Sequence, residues 1–374
     1  MKRIIPLLLL LLLIAPARAV SAAPEDAFSL SSDAAVLMEP ETGTVLYEKD
    51  AHSRRSPASV TKIMTLLLIA EAVDSGAIRM EDPVTASAKA ASMGGSQIWL
   101  EEGEQMSVEE MIKCIAVASA NDCAVAMAEK LAGSEDAFVK KMNDRAQALG
   151  MTDTHFLNCT GLTEDEAHYT SAWDIALMSR ELLRHEWIKQ FTTVWMDEVR
   201  GGQFGLTNTN KLVRFYEGCT GLKTGYTSTA MYCLSAAAER DGTSFIAVVM
   251  HAPSSDERNQ DARTLLDYGF ASCALWRAEA NLTLPPVPVK LGTAESVQPV
   301  LENGAVLTET DGGSVTWDLQ LPERAAAPVK EGDAMGTLVV KNDKGVIAEL
   351  TIRAGETVEA LTLREIWWKV LTAA

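Results

Sequence analysis

Apolar and polar positions alternate in blocks along the chain, and the period of the alternation changes from one segment to the next. Residues 34–49, AAVLMEPETGTVLYEK, give two apolar runs around a Pro-Glu-Thr-Gly turn, the pattern of an antiparallel hairpin. Residues 56–76, SPASVTKIMTLLLIAEAVDSG, predict a helix with Ser56 as N-cap, Pro57 in the first helical position and Gly76 closing it. Its middle is apolar nearly all round, so that helix is expected to be buried. From residue 107 to about 161 the pattern is helical. It opens on a capping box from Ser107 to Glu110, breaks at SAND (119–122) and ends a second helix at Gly133.

A further helix is expected over 171–193. After residue 205 the period shortens to that of strands: GLKTGYT, AMYCLSAAAE and SFIAVVMHA form an antiparallel meander, followed by a helix through NQDARTLLDYGF. Strands at both ends with helices between them let the first hairpin join the last strands in one sheet, an α+β arrangement. The three prolines of NLTLPPVPVKLG (281–292) mark a boundary, and the short alternating runs beyond it predict a small all-β domain. The last stretch places Leu363, Ile366, Trp367, Val370 and Leu371 on one helical face. That face suits a membrane interface; the plainer alternative is a helix docked on the β-domain. The expected division is a leader at 1–23, a catalytic domain at 24–276, a β-domain at 277–362 and an amphipathic helix at 363–374.

Composition adds compartment and charge. Two basic residues, an apolar run and a cluster of small residues open the chain, the pattern of a cleaved export signal. Its removal takes Lys2, Arg3 and Arg18 and no acid, leaving 30 basic residues against 51 acidic, a net −21. So acidic a chain is not expected to bind nucleic acid. Export permits disulfides among the six cysteines, though none has metal-site spacing. Buried free thiols are the first reading, and a bridge between Cys219 and Cys233, which flank a hairpin, the second. His52, His155, His168, His185 and His251 form no metal-ligand pattern and are read as structural or surface residues.

The candidate chemistry begins at Ser59 and Lys62. Three residues apart on a helix, they are neighbours, and a lysine whose ammonium is destabilised by burial or by a second cation can take a proton from a serine. The helix start offers backbone N–H groups to an oxyanion. Alone, S-x-x-K also fits a capped helix with a solvated lysine. Ser119-Ala120-Asn121 and Lys223-Thr224-Gly225 follow in the order of the S-x-x-K, S-D-N-like and K-T-G set.

With these motifs, and with MGGSQIWLEEGE and the C-terminal β-region, the chain resembles the low-molecular-mass penicillin-binding proteins, the D-alanyl-D-alanine carboxypeptidases of serine peptidase family S11. The resemblance implies a β-lactamase/transpeptidase-like catalytic domain, no cofactor and no metal. It implies removal of the terminal D-alanine from peptidoglycan stem pentapeptides, with β-lactams as covalent inhibitors, outside the cytoplasmic membrane. Ser59 would be the nucleophile and Lys62 its base. Ser119 and Lys223 would relay a proton to the leaving amine, and Asn121 would bind the substrate amide and help hold Lys62. Backbone N–H groups of Ser59 and Tyr226, beside Gly225, would form the oxyanion hole. Thr224 and Arg258 would bind the terminal carboxylate, for which a guanidinium is chemically suited. Asn121 as a plain cap and Arg258 as a surface partner of Asp256 or Asp261 are the structural alternatives.

Thr220 and Tyr226 depart from the Asp and His of many members, a difference that bears on substrate preference. The rival functions are a β-lactamase and a non-catalytic wall-binding or sensor protein. Glu164 and Glu166 lack the E-x-x-L-N context of a class A deacylation base, and the motif residues a sensor would have lost are present.

Overall fold

The computed structural model describes residues 20–278, 282–301 and 304–372. The core of the expected leader therefore lies outside the described residues. The chain forms two compact units, Ala22–Cys273 and one containing Ala274–Ala374.

The first unit is built on a five-stranded sheet. Strands β1 (Ala34–Met38) and β2 (Val45–Lys49) form the expected hairpin, whose turn is tied by buried Glu39 accepting the N–H groups of Glu41 and Thr42. Helix α1 (Lys62–Asp74) follows a 3-10 turn over Ala58–Thr61. The helical region continues as α2 (Val108–Val117), α3 (Asn121–Ala132), α4 (Glu135–Ala148) and α5 (Ala172–Leu183). Strands β3 (Cys219–Thr227), β4 (Met231–Arg240) and β5 (Thr243–Ala252) and helix α6 (Ser255–Ser272) complete it. The sheet order is β2-β1-β5-β4-β3, antiparallel throughout, which leaves β3 at an edge. Helix α6 packs on β4 and β5, and α5 packs on β1 and β5.

Three local expectations are corrected. Ser56 does not cap α1: the chain enters through Pro57 and a 3-10 turn in which Ala58 has φ +48°, with no side-chain cap. The helical run after residue 107 stops at Ala148, and 149–171 is mostly turn and loop, held by Asn143, whose side chain bonds both backbone groups of Phe156. The helix expected over 171–193 ends at Leu183, because the chain turns at His185 before a 3-10 segment at Glu186–Ile188 and one helical turn at Lys189–Thr192. That break brings the side chains of His185 and Trp187 onto Asp74, at the end of α1.

Cys114, Cys123, Cys159, Cys219 and Cys233 are free, buried thiols. The Cys219–Cys233 bridge does not form, since Cys233 faces Gly225 across the ladder, six positions and about 20 Å along β3 from Cys219. The second unit carries a four-stranded sheet of Pro299–Leu301, Gly345–Ala354, Ala334–Asn342 and Thr316–Gln320, and a three-stranded sheet around Val287–Lys290. It ends in α7 (Leu363–Thr372), none of whose residues is buried, so the docked reading of that helix fails.

Helix α1 is buried on nearly every side, and its first turn spends its polar residues on one loop. Thr65 Oγ1 donates to Cys159 O (2.7 Å), and Thr61 Oγ1 lies 2.8 Å from His168 Nε2. The Leu157 N–H donates to His168 Nδ1 (3.0 Å), so Nε2 carries the proton and His168 is neutral. Burial lowers its pKa from 6.5 to about 4. Because the unfolded chain binds the proton more tightly, this stabilisation is complete above pH 6.5 and is lost as pH falls toward 4. Denaturant midpoints measured across that window are expected to show wild type losing roughly 3 kcal/mol relative to His168→Gln. Parallel curves would refute it.

Candidate active site

The 3-10 turn brings Ser59 and Lys62 together. Side chains at i and i+3 eclipse in a 3-10 turn, so Lys62 Nζ stands 2.9 Å from Ser59 Oγ. Ser59 is half-buried and Lys62 fully buried. The other partner of Nζ is the carbonyl of Thr160 at 2.8 Å. A carbonyl only accepts, so it takes an N–H, and in the neutral amine the lone pair is left for the Ser59 hydroxyl. Burial lowers the Lys62 pKa from 10.5 to about 7, against the opposing pull of Cys159 and Asp122.

Edge strand β3 runs beside this turn. A Cβ added to Gly225 would stand 2.5 Å from Pro57 O and 3.1 Å from Ser59 N, so only glycine lets the two backbones approach. Lys223 is buried, its Nζ donating to Thr224 O (3.0 Å). Desolvation, then the charges of Lys62 and Arg258, push its pKa well below the ordinary lysine value. Thr224 Oγ1 donates to Thr209 Oγ1 (2.7 Å). The Tyr226 ring is exposed and lies 4.5 Å from that of Tyr232.

The link between α2 and α3 places Ser119 at φ +63°, a conformation that glycine usually takes. Its hydroxyl is buried with no partner among the described residues. Asn121 donates through Nδ2 to Gly94 O (2.7 Å), which fixes its amide and leaves Oδ1 as a buried, unpaired acceptor. The expectation that Asn121 helps hold Lys62 is corrected: it makes no hydrogen bond to that amine, and Thr160 O does so instead.

Arg258, at the start of α6, is buried at 5 % exposure and hydrogen-bonds Asn259 and Ser255, with its guanidinium 5.9 Å from the Tyr232 ring. Among the described residues it forms an ion pair with neither Asp256 nor Asp261, and Asp261 is engaged by Ser31 and Ser32. Glu164 accepts from the Ser228 hydroxyl, and Glu166 is exposed.

Sequence reasoning missed Thr160, Gly161 and Thr209. Asn158 Oδ1 accepts the N–H groups of Thr160 and Gly161, and Asn-Cys-Thr-Gly is a readable side-chain-capped turn. What it could not reveal is that the turn lies against Ala58, where a Cβ on Gly161 would stand 1.8 Å from the carbonyl oxygen.

A sheet edge aligned with a serine–lysine pair at the head of a buried helix is the architecture of the transpeptidase-like penicillin-binding folds. The chain belongs to the D-alanyl-D-alanine carboxypeptidase family of S11 peptidases, whose family model matches residues 18–254. It is 45% identical over 368 residues to the D-alanyl-D-alanine carboxypeptidase DacF of Bacillus subtilis, covering 95% of this chain and 94% of that protein. Penicillin-binding protein 5 of Haemophilus influenzae superposes with a TM-score of 0.79 at 27% identity, over 90% of this chain and 99% of that one. Penicillin-binding protein D2 of Listeria monocytogenes, solved in its ampicillin-bound form, gives 0.60 at 30% identity, over 65% and 99%.

Between pH 7 and 10.5 the unfolded chain holds a proton on Lys62 that the folded chain releases, so the burial of this amine becomes more costly as pH falls. The stability of Lys62→Met relative to wild type is expected to grow as pH drops from about 10 to 7 and to level off below. Chemical denaturation across that range measures it, and a constant difference would refute the assignment.

Proposed function

We propose that the protein is an exported serine carboxypeptidase that removes the terminal D-alanine from peptidoglycan stem pentapeptides through an acyl-enzyme on Ser59. The observation that carries this reading is the 2.9 Å approach of Ser59 Oγ to a buried lysine amine whose pKa lies near neutrality. Lys62 takes the hydroxyl proton as Oγ attacks the carbonyl of the penultimate D-alanine. The N–H groups of Ser59 and Tyr226 stabilise the oxyanion. Asn121 Oδ1, the unpaired acceptor, receives a substrate amide N–H. Ser119 and Lys223 deliver a proton to the departing amine of D-alanine, and water then cleaves the ester.

Arg258 and Thr224 bind the terminal carboxylate, the group that defines a carboxypeptidase substrate. The stem peptide lies along the edge of β3 as an added strand. The catalytic domain of this reading spans 24–276, behind a cleaved leader at 1–23. Helix α7 lies in the membrane interface on the outer face: Leu363, Trp367, Trp368, Val370 and Leu371 are all exposed, and no helix among the described residues is long and apolar enough to cross a membrane.

Wild type is expected to release D-alanine from a synthetic pentapeptide, with Ser59→Ala reducing release to background. The acid limb of kcat/KM should fall near pH 7, because below it Lys62 is protonated. No release by either protein would favour a sensor.

A fluorescent penicillin should acylate Ser59 and remain attached after an hour's chase, since Glu164 is engaged by Ser228 rather than poised as a deacylation base. Rapid release with turnover would favour a β-lactamase.

A further inference from the structure

Asp122 follows Asn121 directly and is fully buried, yet no ion pair engages it among the described residues. Its carboxylate is compensated by backbone: Oδ2 accepts the N–H groups of Ile98 (3.0 Å) and Leu100 (3.1 Å), and Oδ1 that of Cys123 (2.9 Å). Its place in the first turn of α3 further favours the negative charge. The segment it grips, residues 94–100, has no regular secondary structure of its own.

The same segment is also held by Arg200. That guanidinium donates to the carbonyls of Ile98 (2.8 Å) and Trp99 (3.3 Å) and is itself fixed by Glu104 (2.7 Å). Between these clamps Trp99 is kept at φ +55°, strained for a bulky side chain and sustained by the bonds around it.

The grip matters because this segment orients Asn121. Gly94 O accepts from Asn121 Nδ2, and Ser96 O accepts from the Asn121 backbone N–H, both at 2.7 Å. Gly95, at φ +72°, has room for no side chain, since a Cβ there would lie 2.9 Å from Asn121 Nδ2. Asn121 can therefore turn its oxygen toward a substrate only while the 94–100 segment stays where Asp122 holds it.

We infer that Asp122 is a positioning residue for acyl transfer, acting through the 94–100 segment to aim Asn121 Oδ1. This rests on the carboxypeptidase reading of the site. Asp122 has a second effect through its charge. The ionisable groups facing Lys62 are Cys159 from the loop after α4, Asp122 from α3 and Lys223 from β3; of these, Cys159 and then the Asp122 carboxylate raise the proton affinity of Lys62 against its burial.

The test uses the full chain and release of D-alanine from a pentapeptide. Asp122→Asn keeps the size but loses one acceptor and the charge, so kcat/KM is expected to fall about tenfold to a hundredfold. Its acid limb should move to lower pH, because Lys62 without the anion loses its proton more readily. Gly95→Ala should lower kcat/KM to a similar degree with the limb unmoved. In an Asn121→Ala background, Asp122→Asn should cost little further rate but still shift the limb.

Unchanged kcat/KM in Asp122→Asn, or losses that add fully in the Asn121→Ala background, would overturn the inference. Should Asp122→Asn fail to fold by circular dichroism, wild-type kinetics in Gly95→Ala would overturn it instead, and a loss there would support it. Absence of D-alanine release by wild type would overturn the carboxypeptidase reading itself.

Discussion

The burial of the Lys62 amine is the constraint around which the first unit is arranged. A lysine removed from water is costly in its charged form, and the chain accommodates it by shifting the amine toward neutrality and giving it two oxygen partners. Everything close to it serves that end. The 3-10 turn sets the spacing to Ser59, the loop after α4 supplies the Thr160 carbonyl, and Thr61 and Thr65 fasten the same loop to α1. The near-continuous apolar surface of α1 keeps the surroundings dry.

The sheet contributes the second half of this electrostatic arrangement. Lys223 and Arg258 are also buried, so three basic side chains share one region of a strongly acidic protein. Burial lowers the proton affinity of both lysines, and the charges of Lys62 and Arg258 lower that of Lys223 further, while the guanidinium keeps its charge. A negatively charged ligand end entering there meets a compensating positive charge at Arg258, while the lysines remain available for proton movement. The cost of burying these cations is the ordinary exchange of stability for function.

Much of this was legible in the sequence, and the rest was not for a definite reason. Ser59, Lys62, Ser119, Asn121, Lys223 and Thr224 are side chains in motif order, and the periods of the flanking segments place them at a helix head, a helix junction and a strand. The shared sheet of the first hairpin and the last strands follows from the same periods. The Thr160 carbonyl could not be read, because a backbone acceptor has no letter of its own. The 3-10 entry was hidden by Ser56 and Pro57, which imitate an ordinary helix start. His168 carried no sign that its ring would be buried between Thr61 and Leu157. The turn signals of the loop at 149–161 are masked because they follow directly on the well-patterned α4.

The unpaired edge of β3 has a further consequence. Most proteins protect a sheet edge with a bulge, a proline, an inward charge or a covering loop, since any extended chain can add to it. An edge that receives a peptide, as proposed for β3, has to forgo such covers over Lys223–Thr227, and Gly225 must stay bare besides. On the proposed reading, selectivity against stray strands falls to the buried guanidinium of Arg258, which pairs with the carboxylate of a chain terminus and not with a passing strand. A passing loop or a neighbouring molecule's strand brings no carboxylate to that position. The surface most exposed to unwanted association is thus guarded by the chemistry of its own ligand.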